Sequence, residues 1–229
     1  YTPKPSSKPV IGMTMFGVTT KCIEQVKSHL EPDNLCLVFH ATGTGGLTLE
    51  KLVADGRLSG VIDATTTEVA DHLMGGILSA GEGRLEQFIQ ANIPYIGSCG
   101  AIDMVNFGAR STVPGKYADR LLYEHNPQIT LMRTTAEENA QMGKWIGEKL
   151  NRFKSPARFL IPEKGFSALD AEGMAFFDPD ADKAFIDALE NTVSNPMITI
   201  IKLPYHINDP EFATAITENY KDLSNEISK

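Results

Sequence analysis

Cysteine, tryptophan, positive charge and long apolar runs are all scarce in this chain. Cys22, Cys36 and Cys99 stand far apart and form no Cys-x-x-Cys pair. That argues against a disulfide framework or a clustered-cysteine zinc site, and it suits a reducing, cytoplasmic compartment. No apolar stretch approaches the ~20 residues of a membrane span, and no segment has the charged-then-apolar order of a secretion signal. Lys and Arg total 21 against 29 Asp and Glu, a net charge of −8. A broad nucleic-acid-binding face is therefore disfavoured. A small anion can still be held by backbone N–H groups and a few local cations. No repeat or low-complexity tract occurs.

What is present is a 229-residue chain with 42% hydrophobic residues, enough for the core of one large α/β domain. The opening YTPKPSSKP is rich in Pro, Ser and Lys and lacks apolar periodicity. Residues 1–8 therefore read as a linker from a preceding domain and 9–229 as a single domain. Short apolar runs at 10–14, 35–40, 60–63, 93–98, 129–133, 157–161 and 198–203 read as strands. Helical patterns at 19–30, 47–55, 68–74, 84–92 and 135–150 lie between them. Thr135 with Glu138 is a capping-box pair, and Asp178-Pro179 and Asp209-Pro210 each open a further helix. The run LCLVFH (35–40) reads as a strand buried on both faces. Residues 99–128 and 163–177 read as long loops, the first with a short helix. This alternation predicts an α/β fold: an open, mostly parallel, doubly wound, Rossmann-like sheet of about six or seven strands with helices on both faces. A closed (β/α)8 barrel would need eight units.

Such sheets bind ligands beyond the carboxyl ends of their strands, where polar residues crowd this sequence. Thr42-Gly43-Thr44-Gly45-Gly46 lies between a strand and a helix. Its glycines would let backbone amides approach a phosphate at a helix N-terminus; a tight turn with no ligand is the plain alternative. The motif lacks the Gly-Lys-Ser/Thr of a P-loop and has Thr48 where a dinucleotide fingerprint has its third glycine. Asp63, twenty residues after Gly43, stands where such folds place a ribose-binding acid, so a nicotinamide-type ligand stays open. Thr65-Thr66-Thr67 and Gly100 join the candidate binding set. Asp63, Glu68, Asp103 and Asp170 are candidate acid/base carboxylates. Cys99 is a weak candidate nucleophile, and His40, His125 and His206 are weak acid/base candidates. Asp178, Asp180 and Asp182 read as a helix cap rather than a metal cluster, so no metal site is expected. Trp145 reads as core.

The segments HATGTGGLTLEKLVADGRLSGVIDATTTEVADHLMGGILSAG, GAIDMVNFG, YEHNPQITLMRTTAEEN, GFSALDAEG, FFDPDAD and HINDPEFA together resemble the Tm-one-like ATP-binding domain family. This is a largely uncharacterised group that includes a tomato tobamovirus-resistance protein. The resemblance runs from Pro9 to Ala213 and matches the C-terminal half of a two-half module. It implies an ATP-type nucleotide, with Mg²⁺ as its usual companion, a phosphate cradle at Thr42–Gly46, and the N-terminal half of the same protein as a partner. It implies no reaction. An enzyme acting on a phosphorylated or carboxylated metabolite, and a protein-interaction or homo-oligomerisation module, stand as alternatives. Cys99 replaces a proline frequent in bacterial members, which weakens it as a family nucleophile.

Overall fold

The computed structural model describes residues 8–227, so nearly all of the expected linker lies outside the described residues. The chain runs through β1 (Val10–Met15), α1 (Thr20–Leu30), β2 (Leu35–His40), α2 (Thr44–Ala54), β3 (Gly60–Thr65), α3 (Thr67–Met74), α4 (Glu86–Ile89) and β4 (Tyr95–Gly100). It continues through β5 (Met104–Phe107), β6 (Leu122–Asn126), β7 (Ile129–Arg133), α5 (Ala136–Leu150), β8 (Ala157–Pro162), α6 (Pro179–Thr192), β9 (Ile198–Leu203) and α7 (Pro210–Ile227).

Six strands form one parallel sheet in the order β2-β1-β3-β4-β8-β9. Its interior strands β3 and β4 are buried at all six positions each, as a sheet covered on both faces requires. Apolar residues of α1 and α7 pack on one face around Met13, Ile62 and Leu160. Residues of α2 to α6 pack on the other around Val61, Tyr95 and Phe159. The chain leaves β1 to one side for β2 and then returns to its other side for β3. The topological switch point therefore lies between the carboxyl ends of β1 and β3, where open α/β sheets bind ligands.

The helix signals hold. Thr135 accepts from Glu138 N at 3.2 Å while the Glu138 carboxylate accepts from Thr135 N at 2.9 Å. Asp178 accepts from Ala181 N at 3.0 Å. Three expectations are corrected. Ile129–Arg133 is not a fifth parallel strand: it is the centre of a separate antiparallel sheet, β5-β7-β6. Its two partners lie inside 99–128, expected to be loop. They are short, and four of the five β6 residues are exposed, so neither carries a two-residue apolar alternation. Second, β2 is an edge strand, with Leu35 42% and Val38 38% exposed, because β1 pairs with it on one side only. Third, the helix expected over 84–92 shrinks to Glu86–Ile89. Leu85 takes a positive φ of 76°, and Arg84 turns fully inward.

Candidate functional site

The glycine turn after β2 already holds an anion, and the anion is a side chain. Glu68 Oε1 accepts from Gly43 N at 2.7 Å and from Gly46 N at 3.1 Å. Gly43 has φ +82°, and a Cβ at Gly46 would overlap the Glu68 carboxylate. Glycine is thus needed for a close approach, but by an internal group. Two amides of the expected phosphate cradle are thus engaged by Glu68. Of the remaining members, Thr44 is exposed, Gly45 is half-buried, and Thr42 is half-buried on the wall of a cleft described below.

Glu68 belongs to a buried network centred on Arg84. Arg84 Nη2 lies 2.6 Å from Asp63 Oδ1, Nε lies 2.8 Å from Glu68 Oε2, and Nη1 lies 3.4 Å from Glu50 Oε1. Asp63 also accepts from Thr14 Oγ1 at 2.8 Å and Tyr95 Oη at 3.1 Å. Burial alone would favour the neutral form of Arg84, but the surrounding carboxylates outweigh it and hold its pKa well above the usual value. Asp63 and Glu68 are fully buried. Neither is available to a ribose or a substrate, so the nicotinamide-type reading loses its acid. Both act as internal counter-ions that tie α2, α3 and the 75–85 segment together.

The threonines are likewise internal. Thr65 Oγ1 lies 2.8 Å from Thr19 Oγ1, and Thr65 N donates to Thr14 Oγ1 at 3.0 Å. Thr66 Oγ1 donates to the Ser98 carbonyl at 3.1 Å, and Thr67 Oγ1 accepts from Asn106 Nδ2 at 3.2 Å. All three are fully buried, and Gly100 is packed against the Ala64 carbonyl. Together they brace the switch point from beneath. Asn106 N, Asn106 Nδ2 and Leu78 N converge on Asp71, whose carboxyl burial pushes up to about 7.

Open space lies above this brace, on both sides of the Gly17–Val18 turn that follows β1. One cleft of about 270 Å³ is mainly apolar and is lined by Phe16, His40, Thr42, Leu78, His125 and Leu131. Phe16 and His40 stack there at 5.2 Å between ring centres. The other, of about 440 Å³, is lined by Thr20 and Lys21 of the first turn of α1, by Glu172 and Asp209, and by Met174, His206 and Asn208. Asn208 clamps the turn between them: its Nδ2 donates to Val18 O at 2.9 Å and its Oδ1 accepts from Cys22 N at 3.3 Å. His206 is tied at both ring nitrogens, to Ser167 O at 2.8 Å and Asn208 N at 3.1 Å. Phe16, Gly17, Val18 and Lys21 were not among the expected site residues. The signal available in sequence was position alone, since they follow the first strand of a doubly wound sheet.

Cys99 is fully buried, and burial raises its thiol pKa well above the ordinary range, which leaves it inert as a nucleophile. Asp103 and Asp170 are also fully buried and line neither cleft. Trp145 is only half-buried, with Lys149 Nζ 4.7 Å from its ring centre. Among the described residues no group of His, Cys, Asp and Glu side chains is arranged to hold a metal ion, and no helix is long and apolar enough to cross a membrane.

Comparison with known proteins agrees with the sequence patterns. A UPF0261 protein of Rhizobium meliloti is 58% identical over 96% of this chain, which covers 56% of that protein. A UPF0261 protein of Clostridium tetani is 50% identical over 92% of this chain and 52% of its own length. The ToMV resistance protein Tm-1(GCR237) of Solanum lycopersicum is 45% identical over 96% of this chain and 29% of its own length. The chain thus spans about half the length of the bacterial relatives it matches. The model described as Uncharacterised protein family (UPF0261) C-terminal domain matches residues 8–224. The chain belongs to the UPF0261 family and corresponds to its C-terminal domain.

Proposed function

We propose that this chain binds a nucleotide of the ATP type, or a related phosphorylated small molecule, across the Gly17–Val18 turn. The observation that carries this reading is the meeting of two clefts at the turn that follows β1, one mainly apolar and one with charged side chains on its wall. The apolar cleft beside Phe16 and His40 suits a flat aromatic base. The other is walled by the first turn of α1 and Lys21, which suit phosphate oxygens, and by Glu172 and Asp209, which would repel them unless a cation intervenes. Each is on the scale of a small-molecule pocket, and together they match an elongated ligand with one apolar and one anionic end. Mg²⁺ would accompany the phosphates. The phosphate position is thereby moved from Thr42–Gly46 to the turn after β1, with Thr42 on the base side. Asp63, Glu68, Asp103 and Asp170 do not line either cleft, so an acid/base reaction has no carboxylate at the ligand from this set.

Titration calorimetry with ATP and Mg²⁺, on this chain and on the longer protein, tests the proposal. Phe16→Ala should remove about 1–3 kcal/mol of stacking, a roughly five- to hundredfold weaker Kd. Lys21→Glu should weaken binding most at low salt. Absence of heat from both folded proteins overturns it.

A second reading rests on the open β2 edge, where Leu35 and Val38 are exposed. An apolar edge without charged side chains is prone to pairing or burial. We infer that it packs against the N-terminal half of the longer protein or a second copy. Light scattering and limited proteolysis of the longer protein test this. Independent monomeric halves would overturn it.

A further inference from the structure

A second buried charge cluster lies behind the cleft that holds Lys21. Asp103, Asp170 and Asp182 face a single guanidinium, that of Arg133, and none of the four residues is more than 6% exposed. Arg133 Nη2 lies 2.7 Å from Asp182 Oδ1 and 3.5 Å from Asp170 Oδ1. Its Nε and Nη2 also donate to the carbonyls of Phe176 at 2.7 Å and Asp178 at 3.2 Å. Asp103 Oδ2 accepts from Ser167 Oγ at 2.8 Å, and Asp170 Oδ2 accepts from Phe166 N at 2.9 Å. Asp103 Oδ1 and Asp170 Oδ1 have no hydrogen-bond partner.

Two properties follow. Three buried carboxylates cannot all be charged against one cation, and carboxylate oxygens without donors are costly as anions. The cluster therefore retains protons near neutrality. Burial and the neighbouring Asp170 push Asp103 up to about 7 and Asp182 up to about 9. Cys99, facing them from β4, stays uncharged because burial raises its thiol, and the imidazole of His206, after β9, meets the segment itself at the Ser167 carbonyl, 2.8 Å away. The contacts also converge on one segment, residues 165–178, which supplies Phe166, Ser167, Asp170, Phe176 and Asp178. That segment walls the Lys21 cleft through Ala168, Ala171, Glu172 and Met174. Its Ala168 N donates to Val18 O at 3.0 Å, a direct tie to the turn between the clefts.

We propose that Asp103, Asp170, Asp182 and Arg133 form a proton-linked latch, which holds segment 165–178 closed against the Gly17–Val18 turn and releases it as the cluster loses its proton. Control of ligand access rests on the binding site proposed above; the latch itself does not. When the segment opens, water reaches Asp103 and Asp182, and their carboxyls return toward the ordinary pKa near 3.9. The closed form then binds more protons than the open one. Opening becomes easier as pH rises above about 4 and levels off above the raised values, with one or more protons passing to solvent.

Hydrogen exchange followed by mass spectrometry, without ligand, from pH 5.5 to 8.5 tests this. After division by intrinsic rates, protection of peptides within 166–177 should fall about tenfold per pH unit for each proton released. Protection of α5 should stay constant. Asp182→Asn keeps an acceptor for Arg133 and a donor toward Asp170, so it should flatten the slope. Asp180→Asn, at an exposed neighbour, should leave the slope unchanged. Wild-type protection that does not vary with pH overturns the latch without recourse to any variant, and so does a wild-type slope in Asp182→Asn. A pH-linked segment in a chain that gives no heat with ATP would retain the latch and remove only the ligand. ATP binding with flat protection would do the reverse.

Discussion

Replacing Arg84 with Met should be among the most damaging single changes in this chain, and its cost should depend on pH. Arg84 is fully buried and contacts Asp63, Glu68 and Glu50 at 2.6, 2.8 and 3.4 Å. Removing one partner of a buried ion pair costs about 3–5 kcal/mol, because the remaining charge is left without compensation. That is a large share of the ~5–15 kcal/mol that holds a domain together. In Arg84→Met the stranded carboxylates should acquire pKa values raised above their unfolded values near 4. A raised carboxylate contributes full stability below its unfolded pKa and loses it as pH climbs to the folded value. The deficit should therefore be small near pH 4 and large at pH 8. Urea unfolding at pH 5 and pH 8 measures it, with a wider gap from wild type at pH 8. Arg84→Lys keeps the charge but not the planar fork, so it should fall between the two. Exchange of the Gly43 and Gly46 amides should quicken in Arg84→Met, because Glu68 loses its anchor. A deficit below about 1 kcal/mol, within the range of ordinary surface-like substitutions, or one equal at both pH values, would refute the role assigned to this network.

Other outcomes follow from the same geometry. Thr135→Ala removes the reciprocal cap of α5 and should cost about 1 kcal/mol, read as a lower urea midpoint with an unchanged slope. Gly43→Ala places a side chain at φ +82° and should cost about 1–2 kcal/mol from backbone strain alone. Asp71 should titrate near 7 in carbon-detected NMR; its share of stability is complete below about 4 and lost as pH rises toward 7. Cys36, half-buried, should react first with a thiol reagent. Cys22, its thiol pushed up to about 12 by burial, and Cys99 should react only on unfolding.

Much of the frame was legible because its signals are local. Val10–Met15, Leu35–His40, Ala157–Pro162 and Ile198–Leu203 are short, mostly apolar runs, and Asp178-Pro179 and Thr135/Glu138 start helices by chemistry visible in four residues. The antiparallel sheet was not legible, because β5 and β6 gain their identity only from pairing with β7. The internal engagement of the glycine turn was hidden for a related reason. A glycine turn before a helix looks the same whether its amides face a ligand or a side chain from the next helix. Glu68 lies 22 residues beyond Gly46, so its arrival there is a tertiary event. The Phe16–Thr20 turn carries a single glycine and shows its position only once β1 is placed between β2 and β3.

The hairpin of β6 and β7 carries a consequence for how such a domain can change. Its tip, with His125, Asn126 and Ile129, borders the apolar cleft yet contributes no strand to the main sheet. Natural variation in length or composition at this tip would reshape what the cleft admits while leaving the frame's interior untouched. One wall of the cleft and the interior of the frame then lie on separate pieces of chain, and each is free to vary without the other.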